Sequence, residues 1–201
     1  MNIFLGGAHR TGKTTIATKL ASRLGRCYIP THLSSMKMWA KIGNPSDYYT
    51  FAERVRIQEE LFDYFVNVID SVQLTDNIFD RSIFDLVGYL NTNFDSTCSA
   101  LFDEFICDFF IPRMNKFMAL DEYTTKTYIL QPNASYKYCL NDVVKNNKVY
   151  NSYAYRQALT DSIVGYAVRN LKPHQYEVIP VGLNSDEVVD YIVQKTIYKL
   201  T

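Results

Sequence analysis

The chain has 201 residues, with 21 basic and 21 acidic side chains and 47% hydrophobic residues. This length is typical of one domain with its own hydrophobic core, so we predict a single domain over residues 1–201. The zero net charge, without a run of lysine or arginine, disfavours binding to duplex nucleic acid through a broad basic surface. No segment approaches the roughly 18 apolar residues of a membrane helix, and no basic, apolar leader precedes the first predicted strand. We therefore expect a cytoplasmic protein with no membrane partner.

The N-terminal part of the chain begins with a strand and a helix. Residues 2–6 form an apolar run that predicts the strand, and residues 12–24 carry apolar side chains at helical intervals. Residues 26–30 are a second candidate strand. Residues 31–50 have no firm period and are expected to be irregular.

A long amphipathic helix is predicted over residues 51–72, with one apolar face and a charged beginning. Residues 77–80 form a candidate strand that ends at an Asp-Arg-Ser sequence. Helices over residues 83–90 and 100–117 follow. Pro112 is expected to kink or divide the second of these.

In the C-terminal part, residues 126–130 form a predicted strand, and the polar residues 134–150 are expected to be a mobile loop. A helix over residues 154–170, a strand over residues 176–181 and a closing helix over residues 186–198 follow. Ser185 is a candidate N-cap of the closing helix. Because strands alternate with helices, we predict an α/β fold with a parallel sheet and helices on both faces.

The four cysteines show no pattern of a metal or redox site. None lies two to four residues from another, and no paired histidines are near them. We expect reduced and mostly buried thiols at Cys27, Cys98, Cys107 and Cys139.

Residues 7–14 read G-A-H-R-T-G-K-T, which is a complete G-x-x-x-x-G-K-[ST] loop between a predicted strand and a predicted helix. Its glycines let backbone N–H groups point at one phosphate, where the helix dipole adds positive charge. Lys13 is expected to be solvated and to reach the β- and γ-phosphates, and the Thr14 hydroxyl is placed to ligate Mg²⁺. The candidate binding residues are Gly7, Ala8, His9, Arg10, Thr11, Gly12, Lys13, Thr14 and Thr15.

Two alternatives remain for this loop. A glycine turn without a ligand would have the same sequence. The side chains of His9 and Arg10 occupy variable positions, so either they only tune the local charge or Arg10 faces the transferred phosphoryl group.

Asp80 and Arg81 follow the third predicted strand, at the edge where open α/β sheets bind ligands. Asp80 is expected to face Mg²⁺ or a substrate hydroxyl, either as a general base or as a group that orients a metal-bound water. Arg81 suits a planar grip on a substrate phosphate or on nucleotide hydroxyls. The alternative is a turn in which Ser82 and Asp85 begin the next helix, and both descriptions are compatible.

The phosphate loop, together with Phe79-Asp80-Arg81-Ser82-x-x-Asp85 and Gly88-Tyr89-Leu90, resembles the P-loop kinase group of thymidylate kinases, deoxynucleoside kinases and ribosylnicotinamide kinases. The second stretch is most similar to small kinases of the last kind, which are common in phage genomes. The resemblance implies a P-loop NTPase fold with a five-stranded parallel sheet in the order 2-3-1-4-5. It also implies ATP and Mg²⁺ as cofactors, and the host cytoplasm as the compartment of a phage-encoded protein.

The same resemblance implies an acceptor site between the helix 51–72 and the loop after the third strand. Its lining would comprise Glu53, Arg54, Arg56, Gln58 and Arg81, with Gln58 placed to read a base edge. A solvated helix face is the alternative for these residues.

A lid over the phosphates is also implied, and residues 134–150 are the candidate segment, with Arg156 as its cation. The alternative places Arg156 on a helix surface. The turn that contains Asn184 lies where members of the group contact adenine through backbone groups.

We therefore predict a kinase that transfers the γ-phosphoryl group of ATP to a nucleoside or nucleotide, with a deoxynucleoside monophosphate favoured. The predicted catalytic residues are Lys13, Asp80, Arg81 and Arg156, and Thr14 and Asp80 are the metal candidates. One alternative is a kinase that acts on a modified base or an end within DNA. Another is a regulatory nucleotide-hydrolysing switch, although no Glu lies beside Asp80 to activate water. The expected partner is the small-molecule acceptor, and homodimer formation stays open.

Overall fold

A parallel β-sheet forms the centre of the fold. The computed structural model describes residues 1–31, 50–72, 76–91, 99–118, 125–132 and 153–197. The strands are β1 (Asn2–Gly7), β2 (Cys27–Ile29), β3 (Asn77–Phe79), β4 (Thr125–Leu130) and β5 (Tyr176–Val178). They are ordered β2-β3-β1-β4-β5, and every neighbouring pair is parallel. This confirms the predicted fold class and strand order.

Helices cover the sheet and follow the predicted segments closely. They are α1 (Lys13–Leu24), α2 (Phe51–Ser71), α3 (Ile83–Asn91), α4 (Ser99–Glu104), α5 (Ile111–Met118), α6 (Tyr153–Asn170) and α7 (Ser185–Ile197). The last strand ends earlier than predicted, at Val178. Ile179 still donates its N–H to Ile129 O at 2.9 Å, but Pro180 follows and has no N–H to continue the ladder.

The alternation of side chains along β1 separates two hydrophobic cores. Ile3 and Leu5 pack with α1 and α7 on one face of the sheet. Phe4 packs on the other face with α2, α3 and α6, and its ring stacks on Phe79 at 4.5 Å. Each face is therefore closed by its own helices, and the strand ends between them form the edge that binds ligands in this class of sheet.

Pro112 does not divide its helix. A six-residue π-helical segment, Phe105–Phe110, joins α4 to α5, and Ile111 N donates to Ile106 O in the wider i→i+5 pattern. The division expected at Pro112 is therefore absent, because the irregularity lies in the turns before the proline and the helix continues through it, while a kink there stays a prediction.

The expectation of buried thiols is wrong for two cysteines. Cys27 begins the edge strand β2, Cys107 lies on the outer side of the π-helical segment, and both are free and exposed. Cys98 and Cys139 lie outside the described residues, as does the predicted lid 134–150.

Among the described helices, none combines the length and the hydropathy required to cross a membrane.

Candidate active site

The loop between β1 and α1 has the backbone that its glycines predict. Gly7, Arg10 and Gly12 have positive φ angles of 134°, 59° and 84°. A Cβ atom at Gly7 would lie only 2.5 Å from Leu130 O, so no other residue fits there. Arg10 holds a left-handed conformation that is unfavourable for a non-glycine residue, as is common at functional loops.

Lys13 is folded back into this loop rather than solvated. Its Nζ atom donates to Gly7 O at 2.6 Å and to Ala8 O at 2.5 Å, and the residue is only 6% exposed. Burial, and then the nearby charge of Arg81, lowers the pKa of Lys13 to about 7. The expectation of a solvated lysine is wrong because the backbone carbonyls of its own loop surround the ammonium group.

Asp80 lies between the phosphate loop and the end of β2. Its Oδ2 atom accepts from Tyr28 at 2.7 Å and from the Thr14 hydroxyl at 3.2 Å. Its Oδ1 atom accepts from the backbone N–H and the hydroxyl of Thr31, at 3.1 and 2.9 Å. Burial acts to raise the pKa of Asp80, but the hydrogen bonds from Tyr28 and Thr31 together hold this pKa below its usual value. Asp80 is therefore a fixed carboxylate.

The pair of Thr14 and Asp80 fits a magnesium ion by its donor chemistry. Both side chains supply hard oxygen atoms, and they lie within hydrogen-bond distance of each other at the mouth of the loop. Within the described ranges, no group of three or more His, Cys, Asp or Glu side chains could hold a metal. Mg²⁺ needs no such group, since it is commonly held by one or two protein ligands together with phosphates and water.

Arg81 and Asp85 lie behind the loop, at the start of α3. Asp85 is 0% exposed, and its Oδ1 atom accepts from Gly7 N at 2.9 Å and from the Ser82 hydroxyl at 3.2 Å. Its Oδ2 atom lies 3.7 Å from Nη1 of Arg81. Burial raises the pKa of Asp85, and the charges of Lys13 and Arg81 act in the opposite direction. Asp85 thus connects the phosphate loop to the buried Arg81.

His9 and Arg10 have different surroundings. The His9 ring packs against Tyr89 of α3, with ring centroids 4.7 Å apart, and the Arg81 guanidinium carbon lies 6.0 Å from the same ring. Arg10 is exposed. His9 therefore contacts α3 instead of pointing outward.

The candidate acceptor residues of α2 do not lie together. Gln58 is 1% exposed, on the same buried stripe as Val55 and Phe62, and neither atom of its amide has a hydrogen-bond partner among the described residues. Glu53 is exposed and forms a capping box with Thr50. Arg56 is also exposed and lies 3.6 Å from Glu60.

The structure therefore places Gln58 in the protein interior, whereas Glu53 and Arg56 lie on a solvated face of α2. The side chain of Arg54 is outside the described part of the structure.

Arg156 is buried in the first turn of α6, with 1% exposure. The alternative of a helix-surface residue is wrong, because α6 packs closely along α3. The packing is tight at Gly88, where an added Cβ would lie 2.6 Å from Cγ1 of Ile163. Arg156 thus lies on the α3 side of the sheet with Gln58 and Arg81.

A cavity of about 220 Å³ lies on the opposite side of the phosphate loop. Its walls include Gly12, Leu130, Pro180 and Leu183, and Arg10 and Asn184 also line it. Asn184 has a structural task as well, because its Oδ1 atom accepts from the N–H groups of Asp186 and Glu187. Asn184, not Ser185, is therefore the N-cap of α7.

Sequence reasoning missed the contacts of Tyr28 and Thr31 with Asp80. They depend on the pairing of β2 with β3, in which Ile29 lies beside Phe79. A signal was available in the strand order, since adjacent parallel strands end at the same edge of the sheet.

Comparisons with known proteins agree with this geometry. No protein-family model matches the chain, and no curated protein is a significant match. Among solved structures, deoxyadenosine kinase from M. mycoides with bound dATP superposes with a TM-score of 0.67 at 14% identity, covering 98% of this chain and 100% of that one.

Two further solved structures superpose on the chain. Thymidylate kinase from Candida albicans gives a TM-score of 0.56 at 15% identity and covers 98% of this chain and 91% of that one. The NadR protein in complex with NR superposes with a TM-score of 0.64 at 12% identity, and the match spans 97% of this chain but 51% of that protein. The chain therefore has the fold of the P-loop nucleoside and nucleotide kinases.

Proposed function

We propose that the protein is a kinase that transfers the γ-phosphoryl group of ATP to a nucleoside or nucleotide, with a deoxynucleoside monophosphate as the favoured acceptor. One observation carries the proposal. Lys13 of the phosphate loop and Arg81 of the Asp-Arg-Ser motif are both buried around Asp85, which accepts from Gly7 of the same loop. Two cations beside a phosphate loop suit the charge that develops during phosphoryl transfer.

The phosphate loop would exchange internal hydrogen bonds for bonds to ATP. Lys13 now donates to two carbonyls of its own loop. A polyphosphate offers acceptors that carry negative charge, and these attract the ammonium group more strongly than neutral carbonyls do. We therefore expect Lys13 to turn toward the β- and γ-phosphates when a nucleotide binds.

Thr14 and Asp80 would hold Mg²⁺. When bound, the ion neutralises charge on the phosphates and orients them. The hydrogen bonds from Tyr28 and Thr31 keep Asp80 ionised and fix its position. These bonds favour a metal-orienting task for Asp80 over that of a general base, because a carboxylate with a lowered pKa accepts a proton poorly.

The acceptor would bind on the other side of Arg81, between α2 and α3. The amide of Gln58 is buried there without a hydrogen-bond partner among the described residues. Such a group costs about 1–3 kcal/mol of stability unless a ligand satisfies it. An amide offers a donor beside an acceptor, which matches the edge of a nucleobase. The buried Arg156 is proposed as a third cation for the phosphoryl group, beside Lys13 and Arg81.

Radiolabelled ATP tests the proposal directly. The protein is incubated with Mg²⁺, [γ-³²P]ATP and a panel of nucleosides, deoxynucleoside monophosphates and DNA oligonucleotides, and each acceptor is assayed for label. The proposal predicts label on a nucleoside or monophosphate. Label on DNA alone would favour the kinase acting within DNA. Release of inorganic phosphate at a rate that no acceptor changes would favour the hydrolytic switch.

A further inference from the structure

Asp85 makes contacts on both sides of the candidate site. It is fully buried in the first turn of α3, yet each of its oxygen atoms faces a different partner. The Oδ1 atom accepts from the backbone N–H of Gly7, and the Oδ2 atom faces the guanidinium of Arg81 at 3.7 Å. Gly7 begins the phosphate loop, and Arg81 belongs to the acceptor side.

The close approach of β1 to this carboxylate is built into the sequence. A Cβ atom at Gly6 would lie 2.8 Å from the Ser82 hydroxyl and 3.2 Å from Oδ1 of Asp85. Glycine at this position therefore lets the strand end lie directly against the start of α3. The contact between Gly7 and Asp85 is part of a tightly packed junction.

Charge gives a second reason for a carboxylate here. Lys13 and Arg81 are both buried, and the charge of Arg81 disfavours the protonated form of Lys13. Two neighbouring buried cations repel one another strongly where water is excluded. The carboxylate of Asp85 attracts both of them and offsets that repulsion.

We propose that Asp85 is a positioning residue that couples the two halves of the site, with one oxygen holding the first amide of the phosphate loop and the other orienting Arg81. This inference rests on the proposed kinase function. It adds that the position of the nucleotide phosphates and the position of the acceptor-side cation are set by the same side chain.

Two substitutions separate the two tasks. In Asp85→Asn the amide oxygen still accepts from Gly7 N, but an NH₂ group replaces the oxygen that faces Arg81. Compared at about pH 6, where Lys13 is mostly protonated, nucleotide affinity should stay within about twofold of wild type, and transfer should fall by about tenfold or more. Asp85→Ala removes both contacts, so nucleotide affinity should fall by about tenfold as well.

A double-mutant cycle with Arg81→Lys distinguishes positioning from a general loss of stability. Asp85→Asn should change the same kinetic parameter, kcat or acceptor KM, that Arg81→Lys changes. The double variant should be little worse than either single variant, because both disturb the same guanidinium. Asp63→Asn is the matched control, since Asp63 pairs with Arg113 at 3.1 Å on the protein surface.

Nucleotide dissociation constants, kcat and KM are measured for the folded fraction, which thermal melting defines. Additive losses in the cycle, or wild-type parameters for Asp85→Asn, would overturn the coupling. Equal nucleotide affinity of Asp85→Ala and wild type would overturn the loop contact. If the wild-type protein labels no acceptor, the proposed function fails, while the comparison of nucleotide affinity between Asp85→Asn and Asp85→Ala still decides the loop contact.

Discussion

The two sides of the candidate site are built in different ways. On the phosphate-loop side, the proposed binding groups are consecutive in sequence and consist of backbone amides with Lys13 and Thr14. On the acceptor side, the polar groups are buried side chains from two helices and the loop before a third, Gln58, Arg156 and Arg81. A local sequence motif can therefore predict the phosphate-loop side, whereas the acceptor side depends on how distant segments pack.

The two sides also differ in how their polar groups are satisfied. Lys13 finds two carbonyl acceptors within its own loop. The amide of Gln58 has no such partner among the described residues. Substitutions should therefore reduce activity on both sides, and at Gln58 the loss of activity should be accompanied by a gain in stability.

The largest effect is expected at the loop. Lys13→Ala should reduce transfer by about 100-fold or more, since removing a charge clamp of this kind costs about 3 kcal/mol of transition-state stabilisation. Lys19→Ala is the matched control in the same helix, because Lys19 pairs with Asp186 on the surface. Transfer rates are measured with labelled ATP. Near-normal turnover of Lys13→Ala would contradict the claim that the phosphate loop binds the phosphates of ATP.

A smaller loss is expected at the buried arginine of α6. Arg156→Met should reduce kcat by about tenfold to 100-fold, because it removes a buried positive charge while keeping much of the side-chain volume. Arg169→Ala is the control, because Arg169 is exposed in the last turn of the same helix, and this variant should have wild-type kinetics. A loss confined to thermal stability, with unchanged kcat in the folded fraction, would make Arg156 a structural residue.

The sign of the stability change makes the comparison sharper at Gln58. Gln58→Leu should raise acceptor KM by about tenfold, while the free energy of unfolding rises by about 1 kcal/mol because a buried amide without a described partner is removed. The control is Gln157→Leu, whose amide donates to Asp161 at the surface. Acceptor kinetics and chemical denaturation measure the two effects. Strong destabilisation with an unchanged KM would show that Gln58 serves packing only.

The smallest expected effect is a pH dependence of nucleotide binding. Burial and Arg81 lower the pKa of Lys13 to about 7, and a polyphosphate binds the protonated amine. Affinity should therefore fall as the pH rises above about 7, by about fivefold between pH 7 and about pH 8. Because the pKa of Lys13 in the folded protein lies below the ordinary value of 10.5, its contribution to folding stability rises with pH, whereas nucleotide affinity falls with pH. The stability contribution decreases as the pH falls from 10.5 toward about 7 and is constant below.

Lys13→Arg is the control for this titration, because arginine stays charged throughout. Ionisation of the nucleotide itself affects both proteins equally. The decline should be present in the wild type and absent in the variant. Parallel profiles of the two proteins would show that Lys13 does not titrate in this range.

Much of the fold could be predicted because its signals are local. The loop of residues 7–14 and the alternation of strands and helices predict a parallel sheet and the place of Lys13 and Asp80 at the strand ends, whereas the strand order follows from the resemblance to the P-loop kinase group. The caps of α2 and α7 had a signal that the prediction of Ser185 overlooked, since Thr50 and Asn184 each precede a glutamate by three residues.

The remaining features depend on tertiary contacts. The burial of Lys13 results from carbonyls that turn inward only in the folded loop. The bonds of Asp80 to Tyr28 and Thr31 require β2 to lie beside β3. The exposure of Cys27 follows from the edge position of its strand. Of these neighbours, only the placement of β2 beside β3 is implied in advance, through the strand order that the resemblance to the P-loop kinase group gives.

The central claim is that the phosphate loop and the buried acceptor-side groups form one site that holds two substrates. A bisubstrate analogue, in which adenosine is joined through a polyphosphate to a deoxynucleoside, tests this claim most directly by calorimetric titration. The account predicts that it binds at least about 100-fold more tightly than ATP or the acceptor alone, since joining two ligands makes the second contact intramolecular. Lys13→Ala and Gln58→Leu should each weaken that binding. An analogue that binds no better than ATP, with an affinity that Gln58→Leu leaves unchanged, would contradict the account.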